Sequence, residues 1–274
     1  MTRGAVISLS HGGGPMPVLG DPGHAEIVKS LKNKVPKLLR LGTPEAPRAI
    51  VLVTAHWSET KPTISNGEKH NLLYDYGGFP PEAYKLQYPA PGEPAVAKEV
   101  FDLFKSQGLG PRMDSTRGWD HGVFIPMLLI DPKHEIPIVQ ISVLSSEDPE
   151  THFTMGQALS KLRDSNVAII GSGFASIHNL RVMFSGEIKE PPFKALNEEW
   201  SKAVTAAATE QDLKERSRKF TGWREWPGGK KMHPPQAGEH FMPLIVCAGA
   251  GGDGVAEHYK DAFMGLDVYS YYWV

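Results

Sequence analysis

Five histidines in this 274-residue chain stand where side chains can do metal chemistry. His11 ends the apolar run of ISLSHGGGPM, His56 ends IVLVTAHWS, and His178 follows VAIIGSGFASIHNL. His240 opens the helical pattern HFMPLIVCAGA, and His121 opens another in WDHGVFIPMLL, behind Asp120 as an N-cap. In open α/β sheets, the carboxyl ends of strands and the neighbouring helix N-termini converge on one crevice, however distant they are in sequence. A neutral imidazole placed there is a ligand for Fe(II) or Zn(II). Three protein ligands with open positions make a catalytic site, whereas a structural zinc is normally closed by four. Taken singly, each histidine also reads as an ordinary hydrogen-bonded residue, and the glycines after His11 and His121 suit tight turns. Taken together, the five point to one cleft.

Composition narrows the chemistry further. There are 11 histidines but a single cysteine, Cys247, which excludes an intramolecular disulfide and any Cys-rich zinc or iron–sulfur site. Nitrogen and oxygen ligands must therefore hold any metal, and Cys247, inside an apolar helix pattern, reads as core. The formal charge is −2, from 29 Lys and Arg against 31 Asp and Glu, with no basic run, which argues against nucleic-acid binding. No stretch reaches the roughly 18 apolar residues of a membrane span. The start, MTRGAVISLSHGGG, reads as a first strand and not a signal peptide, so a cytoplasmic location is expected. His24, His70, His134, His152 and His258 lie in polar or helix-surface contexts and are expected to be ordinary, while His233, in a Pro-rich loop just before His240, is undecided.

The elements that must position these groups alternate between two periods. Short β-branched runs at 5–9, 49–54, 136–143 and 167–170 read as buried strands. Helical spacing appears at 24–40, from Pro94 to a stop at Gly108, after Asp148-Pro149, and along 192–217. Alternation of this kind implies an α/β fold, a central mixed sheet flanked by helices on both faces, with its active site at the carboxyl ends of the strands. No linker divides the chain, so residues 1–274 are expected to form a single catalytic domain. Two long loops interrupt the pattern, 58–92 (rich in Pro, Gly and Tyr) and 221–238, and loops of that length are usually functional.

The ordered set HGGGPM, TAHW, YDYGGFP, YPAPG, WDHGVFIPMLL, GSGFASIHNL and GEHFMPL resembles the class III extradiol ring-cleavage dioxygenases, LigB-like proteins, in their 4,5-DOPA dioxygenase-like branch. The resemblance runs from residue 8 to about 250. It implies that His11, His56 and His240 are metal ligands. His178 matches a histidine at the metal centre, either a further ligand or an acid/base, and His121 matches the residue that positions and polarises substrate. Fe(II) is the implied metal for activity, with Zn(II) as another metal the site could hold. The implied reactants are a catechol-type aromatic and O2. Two departures stand out: HGGGPM carries one residue more than the usual HGSP-type element, and GEH replaces PEH, with Glu239 beside His240 as a possible substitute ligand. Trp57, Tyr74, Tyr76 and Phe79 are expected to wall an aromatic pocket. Two other readings compete, a zinc hydrolase using the same histidines to activate water and a non-enzymatic relative binding a partner through the old cleft. Retention of all five histidines argues against the second.

Overall fold

The four β-branched runs become the middle of one eight-stranded sheet. In the computed structural model, which describes residues 2–274, the elements run β1 (Val6–Ser10), α1 (Ala25–Leu38), β2 (Ala49–Glu59), β3 (Thr63–Ser65), α2 (Pro94–Ser106), β4 (Arg112–Asp114), α3 (His121–Ile130), β5 (Ile138–Leu144), α4 (Pro149–Leu159), β6 (Val167–Gly173), α5 (Leu180–Ser185), α6 (Pro191–Ala208), α7 (Leu213–Thr221), α8 (Gly229–Met232), α9 (Met242–Ala250), β7 (Glu257–Phe263) and β8 (Leu266–Trp273). The strand order is β4-β3-β5-β2-β6-β1-β8-β7. The central four, β5-β2-β6-β1, are parallel, and every residue of β1, β5 and β6 is buried, which is why these segments are almost uninterrupted apolar runs. β8 joins β1 antiparallel, β7 joins β8 antiparallel, and β3 meets β5 antiparallel, so the sheet is mixed. This is the α/β class that the alternation implies.

Two adjacent residues of β6 show that helices cover both faces. Gly171 lies against Pro243 and Cys247 of α9, while the Ser172 hydroxyl donates to the Gly122 carbonyl in α3. Successive strand residues point to opposite sides, so α3 and α9 sandwich the sheet. The covering layer is tight. A Cβ at Gly156 of α4 would fall 2.0 Å from the Val246 carbonyl oxygen, and one at Gly249 of α9 would fall 2.2 Å from that of Phe153, so only glycine lets these helices cross so closely. The buried Arg163 ties the chain together, donating to the carbonyls of Gly4, Gly251 and Trp273 at 2.8, 2.9 and 3.2 Å. Its charge sits beside the C-terminal, negative end of α9.

Some boundaries differ from the sequence reading. The helical stretch at 192–217 is two helices, α6 and α7, because the Asp212 carboxylate accepts from the Glu215 amide at 2.8 Å and starts a new helix there. The first part of the 58–92 loop is the end of β2 and all of β3. The 221–238 segment contains α8, and its buried Trp223 packs with Trp200 and Phe241. The hairpin of β7 and β8 has no counterpart among the elements expected from the sequence.

Candidate metal centre

All five histidines meet at one end of the parallel strands. His11 follows β1 directly, His56 lies in β2 where its pairing with β5 shifts register, His121 is the first residue of α3, His178 follows β6, and His240 precedes α9. His11 sits at the start of the HGGG loop, where Gly12 has φ +83 and a Cβ would strike the His24 ring. That loop is fixed from the other side by His24, whose Nε2 accepts from the Gly13 amide at 2.9 Å and whose Nδ1 lies 2.6 Å from Asp21. His24 is thus buried and structural, contrary to the surface setting its sequence context suggests.

Donor geometry supports a cation site. The ligand atoms of His11, His56 and His240 all lie within 4.8 Å of one another. His56 Nδ1 is 2.9 Å from Asp75 Oδ2, and His240 Nδ1 is 2.8 Å from Glu239 Oε1. An ionised carboxylate only accepts, so both Nδ1 atoms carry the proton and, in the neutral ring, both Nε2 atoms carry lone pairs. Those two Nε2 atoms stand 2.9 Å apart. Two facing lone pairs repel unless a cation lies between them. Ligands at right angles around an ion about 2.0 to 2.1 Å away stand roughly 2.9 Å apart. His11 has both ring nitrogens buried with no hydrogen-bond partner, an arrangement that the role of a neutral metal ligand explains. The residues fit a three-histidine metal site.

Electrostatics favour the neutral imidazole at His11, His240 and His121 and the ionised carboxylate at Asp75 and Glu239. Burial, followed by the nearby His56, His240, His121 and His178, holds His11 well below the usual histidine value. Burial, then His178 and His56, does the same for His240. Burial also lowers His121, against the opposing bond from Asp75. Desolvation alone would raise the Asp75 carboxyl, but the bonds from His121 and His56 outweigh it and hold the group well below the carboxylate range. Glu239 behaves alike: desolvation is outweighed, chiefly by His178, whose Nδ1 is 3.4 Å away.

The remaining candidates are distributed unevenly. His121 Nδ1 lies 2.8 Å from Asp75 Oδ1, and its ring centroid is 3.6 Å from that of His56. The His178 ring stacks on His240, centroids 3.3 Å apart and planes 15° apart, with the His178 side chain 21% exposed. Tyr76 faces His121 at 5.7 Å and Phe79 at 5.5 Å, and the Phe79 ring lies against Gly14 of the HGGG loop. Tyr74 packs on Tyr76 and Phe124 and donates its hydroxyl to the Leu86 carbonyl at 2.6 Å. Trp57 is buried under the Arg117 guanidinium and donates to Glu59 at 3.1 Å. The Asp120 side chain makes no capping bond, a correction to its N-cap reading. Instead it accepts from Thr54 at 2.7 Å, Gln140 at 3.1 Å and Arg117 at 3.2 Å in a buried network. Sequence reasoning misses Asp75. Its only signal is one acidic residue between two tyrosines in YDYGGFP.

His152 and His233 are buried away from this cluster. His152 accepts from the Leu144 amide at 2.9 Å and donates to the Asp148 carbonyl at 2.7 Å, and His233 donates to the Ala175 carbonyl at 3.1 Å among Trp200, Trp223 and Phe241. Burial pushes them down to about 4 and about 3. On unfolding, both regain the ordinary value of about 6.5, so below that pH the unfolded chain binds more protons than the folded one. Stability is therefore fully present above pH 6.5 and falls as the pH drops toward 4 for His152 and toward 3 for His233. Each contributes a slope of about 1.4 kcal/mol per pH unit. Urea unfolding of the metal-free protein between pH 7 and 4 is expected to show this fall, with His11 and His240 adding to it. In His152→Gln the slope is expected to drop by one proton's worth, and an unchanged slope would refute the assignment.

Among the described residues no helix is long and apolar enough to cross a membrane. The chain is similar to known proteins along most of its length. The chain is 51% identical over 278 residues to the dioxygenase tasH of Hapsidospora irregularis, covering 98% of this chain and 85% of that protein. It is 31% identical over 246 residues to the 4,5-DOPA dioxygenase extradiol of Beta vulgaris (89% and 86% covered) and 32% identical over 251 residues to that of Escherichia coli K12 (91% and 86% covered). The crystal structure of an uncharacterized Escherichia coli K12 protein superimposes with a TM-score of 0.76 at 28% identity, covering 99% of this chain and all of that one. The family described as the catalytic LigB subunit of aromatic ring-opening dioxygenase matches residues 6–268, and the chain belongs to that family.

Proposed function

We propose that the chain is an Fe(II)-dependent extradiol dioxygenase that opens the ring of a catechol-type aromatic with O2. The observation that carries this reading is the convergence of His56 Nε2 and His240 Nε2, 2.9 Å apart, on the unpartnered His11. With only these three histidines as ligands, a bound metal would keep coordination positions for substrate and O2. When bound, the metal supplies Lewis acidity toward the diol and a common meeting point for the two reactants.

The chain's own residues do the rest. His121 donates Nδ1–H to Asp75, which leaves its Nε2 free to take a proton from a substrate hydroxyl. His178, oriented by Glu239, is the second acid/base and stands at the more exposed side of the cluster. His178 lies outside the His11–His56–His240 set and with Glu239 and His240 forms a second group whose donor atoms lie within 4.8 Å of one another, so its acid/base role rests on the proton transfers the reaction needs. Tyr76 and Phe79, with Tyr74 behind them, form an aromatic wall for the ring, and Trp57 supports the strand that carries His56. Burial raises the Tyr76 phenol to about 12, so it stays neutral beside the substrate. The names of the Beta vulgaris and Escherichia coli relatives favour a DOPA-like or related catechol.

The test is oxygen uptake by anaerobically purified, Fe(II)-loaded protein against a panel of catechols. One O2 consumed per catechol, with a yellow ring-opened product, is the expected result. Stoichiometric zinc with no oxygen uptake across the panel would overturn the proposal in favour of a hydrolase.

A further inference from the structure

The group that links the metal-side His56 to the acid/base His121 comes from neither a strand end nor a helix end. Asp75 lies in the irregular segment after β3 and makes three bonds with its two oxygens. Oδ2 accepts from His56 Nδ1 at 2.9 Å, while Oδ1 accepts from His121 Nδ1 at 2.8 Å and from the His121 backbone amide at 2.9 Å. The last of these also satisfies an unpaired amide at the start of α3.

Its position is set by backbone pairing. Leu72 bridges Trp119 in parallel, the Leu73 amide donates to the Trp119 carbonyl at 2.7 Å, and the Trp119 amide donates to the Asn71 carbonyl at 2.9 Å. Asp75 and His121 are each two residues beyond the Leu73–Trp119 bond, so the two segments deliver them side by side. On either side of Asp75, Tyr74 and Tyr76 pin the loop by donating to the Leu86 and Ala83 carbonyls, each at 2.6 Å.

We infer that Asp75 is a positioning residue that fixes the proton on Nδ1 of both His56 and His121 at once, presenting the Nε2 lone pair of His56 to the metal and that of His121 to the substrate. This rests on the dioxygenase reading for the role of His121, but not for that of His56. The carboxylate is needed because it has acceptors on both sides. An amide of the same shape has one acceptor and one donor face. In Asp75→Asn, an amide oxygen turned to accept from His121 leaves the NH2 facing His56, which forces that ring to the tautomer with a proton on Nε2, pointed into the cation site. The opposite orientation removes the base at His121. Outer-sphere partners of ligating histidines typically matter by 10- to 100-fold in metal affinity or activity.

The experiment compares wild type, Asp75→Asn and Asp75→Glu by Zn(II) titration against a competing chelator and by steady-state oxygen uptake with Fe(II). In Asp75→Asn, Zn(II) affinity or kcat is expected to fall by about 10- to 100-fold, with KM changed less than threefold and the melting temperature of the metal-free protein close to wild type. Asp75→Glu keeps an all-acceptor group and is expected to recover most of the loss; it also serves if Asp75→Asn does not fold. Wild-type metal affinity and kcat in Asp75→Asn would overturn the inference. So would a Glu variant no better than the Asn variant, or a loss confined to melting temperature. Zn(II) affinity is read without turnover, so weakened binding in Asp75→Asn alongside an inactive wild type would count against the dioxygenase reading and for this one.

Discussion

Stoichiometric metal is expected to be lost in both His11→Ala and His56→Ala. A closed four-ligand zinc site is worth about 10 to 16 kcal/mol, so one ligand's share is about 2.5 to 4 kcal/mol and its removal weakens binding roughly 10²- to 10³-fold. The two variants differ in the metal-free protein. His11 is buried with both nitrogens unpartnered, so its removal relieves a desolvation cost of about 1 to 3 kcal/mol while leaving a cavity that costs a similar amount. Metal-free His11→Ala is therefore expected to unfold within about 1 kcal/mol of wild type, yet to lose the rise in melting temperature that metal gives the wild type. His152→Ala is the contrast. Both nitrogens of His152 are bonded in the core, so its loss destabilises by about 2 to 5 kcal/mol and leaves metal binding intact. Retention of stoichiometric metal in both His11→Ala and His56→Ala would refute the site.

What the sequence made legible follows from where the information is local. His11, His56 and His178 end or follow apolar runs because buried parallel strands need such runs, and the strand end is where a side chain first escapes the sheet. Asp75 was not legible because nothing in YDYGGFP records the pairing of 71–73 with Trp119 that delivers it to His56 and His121. His24 and His152 look like surface residues for a related reason. Their polar neighbours describe the chain, whereas their burial depends on accepting backbone amides, those of Gly13 and Leu144, that come from other elements. Asp120 shows the reverse error: its place before α3 satisfies the pattern of an N-cap, but Thr54, Gln140 and Arg117 claim its carboxylate, and Asp75 supplies the helix-start acceptor. Strands of three residues, β3 and β4, are too short to show periodicity at all.

The two acid/base histidines are expected to separate under substitution. His121→Ala and His178→Ala should each retain metal and lose about 10²- to 10⁴-fold in kcat, the range for a positioned proton-transfer group. Loss of metal in His178→Ala would instead make His178 a ligand. Their accessibility distinguishes them further. The His178 side chain is 21% exposed and stacks on His240, whereas the His121 side chain is 10% exposed, held from one side by Asp75 and packed against His56 and Tyr76. Added imidazole can enter the space left at position 178 and stack on His240 in the same way, so it is expected to restore turnover to His178→Ala in a saturable manner. It should do little for His121→Ala, where the entrant would have to displace packed rings and satisfy Asp75 from within. Equal rescue of both variants would contradict the geometry, and rescue of neither would remove His178 from proton transfer.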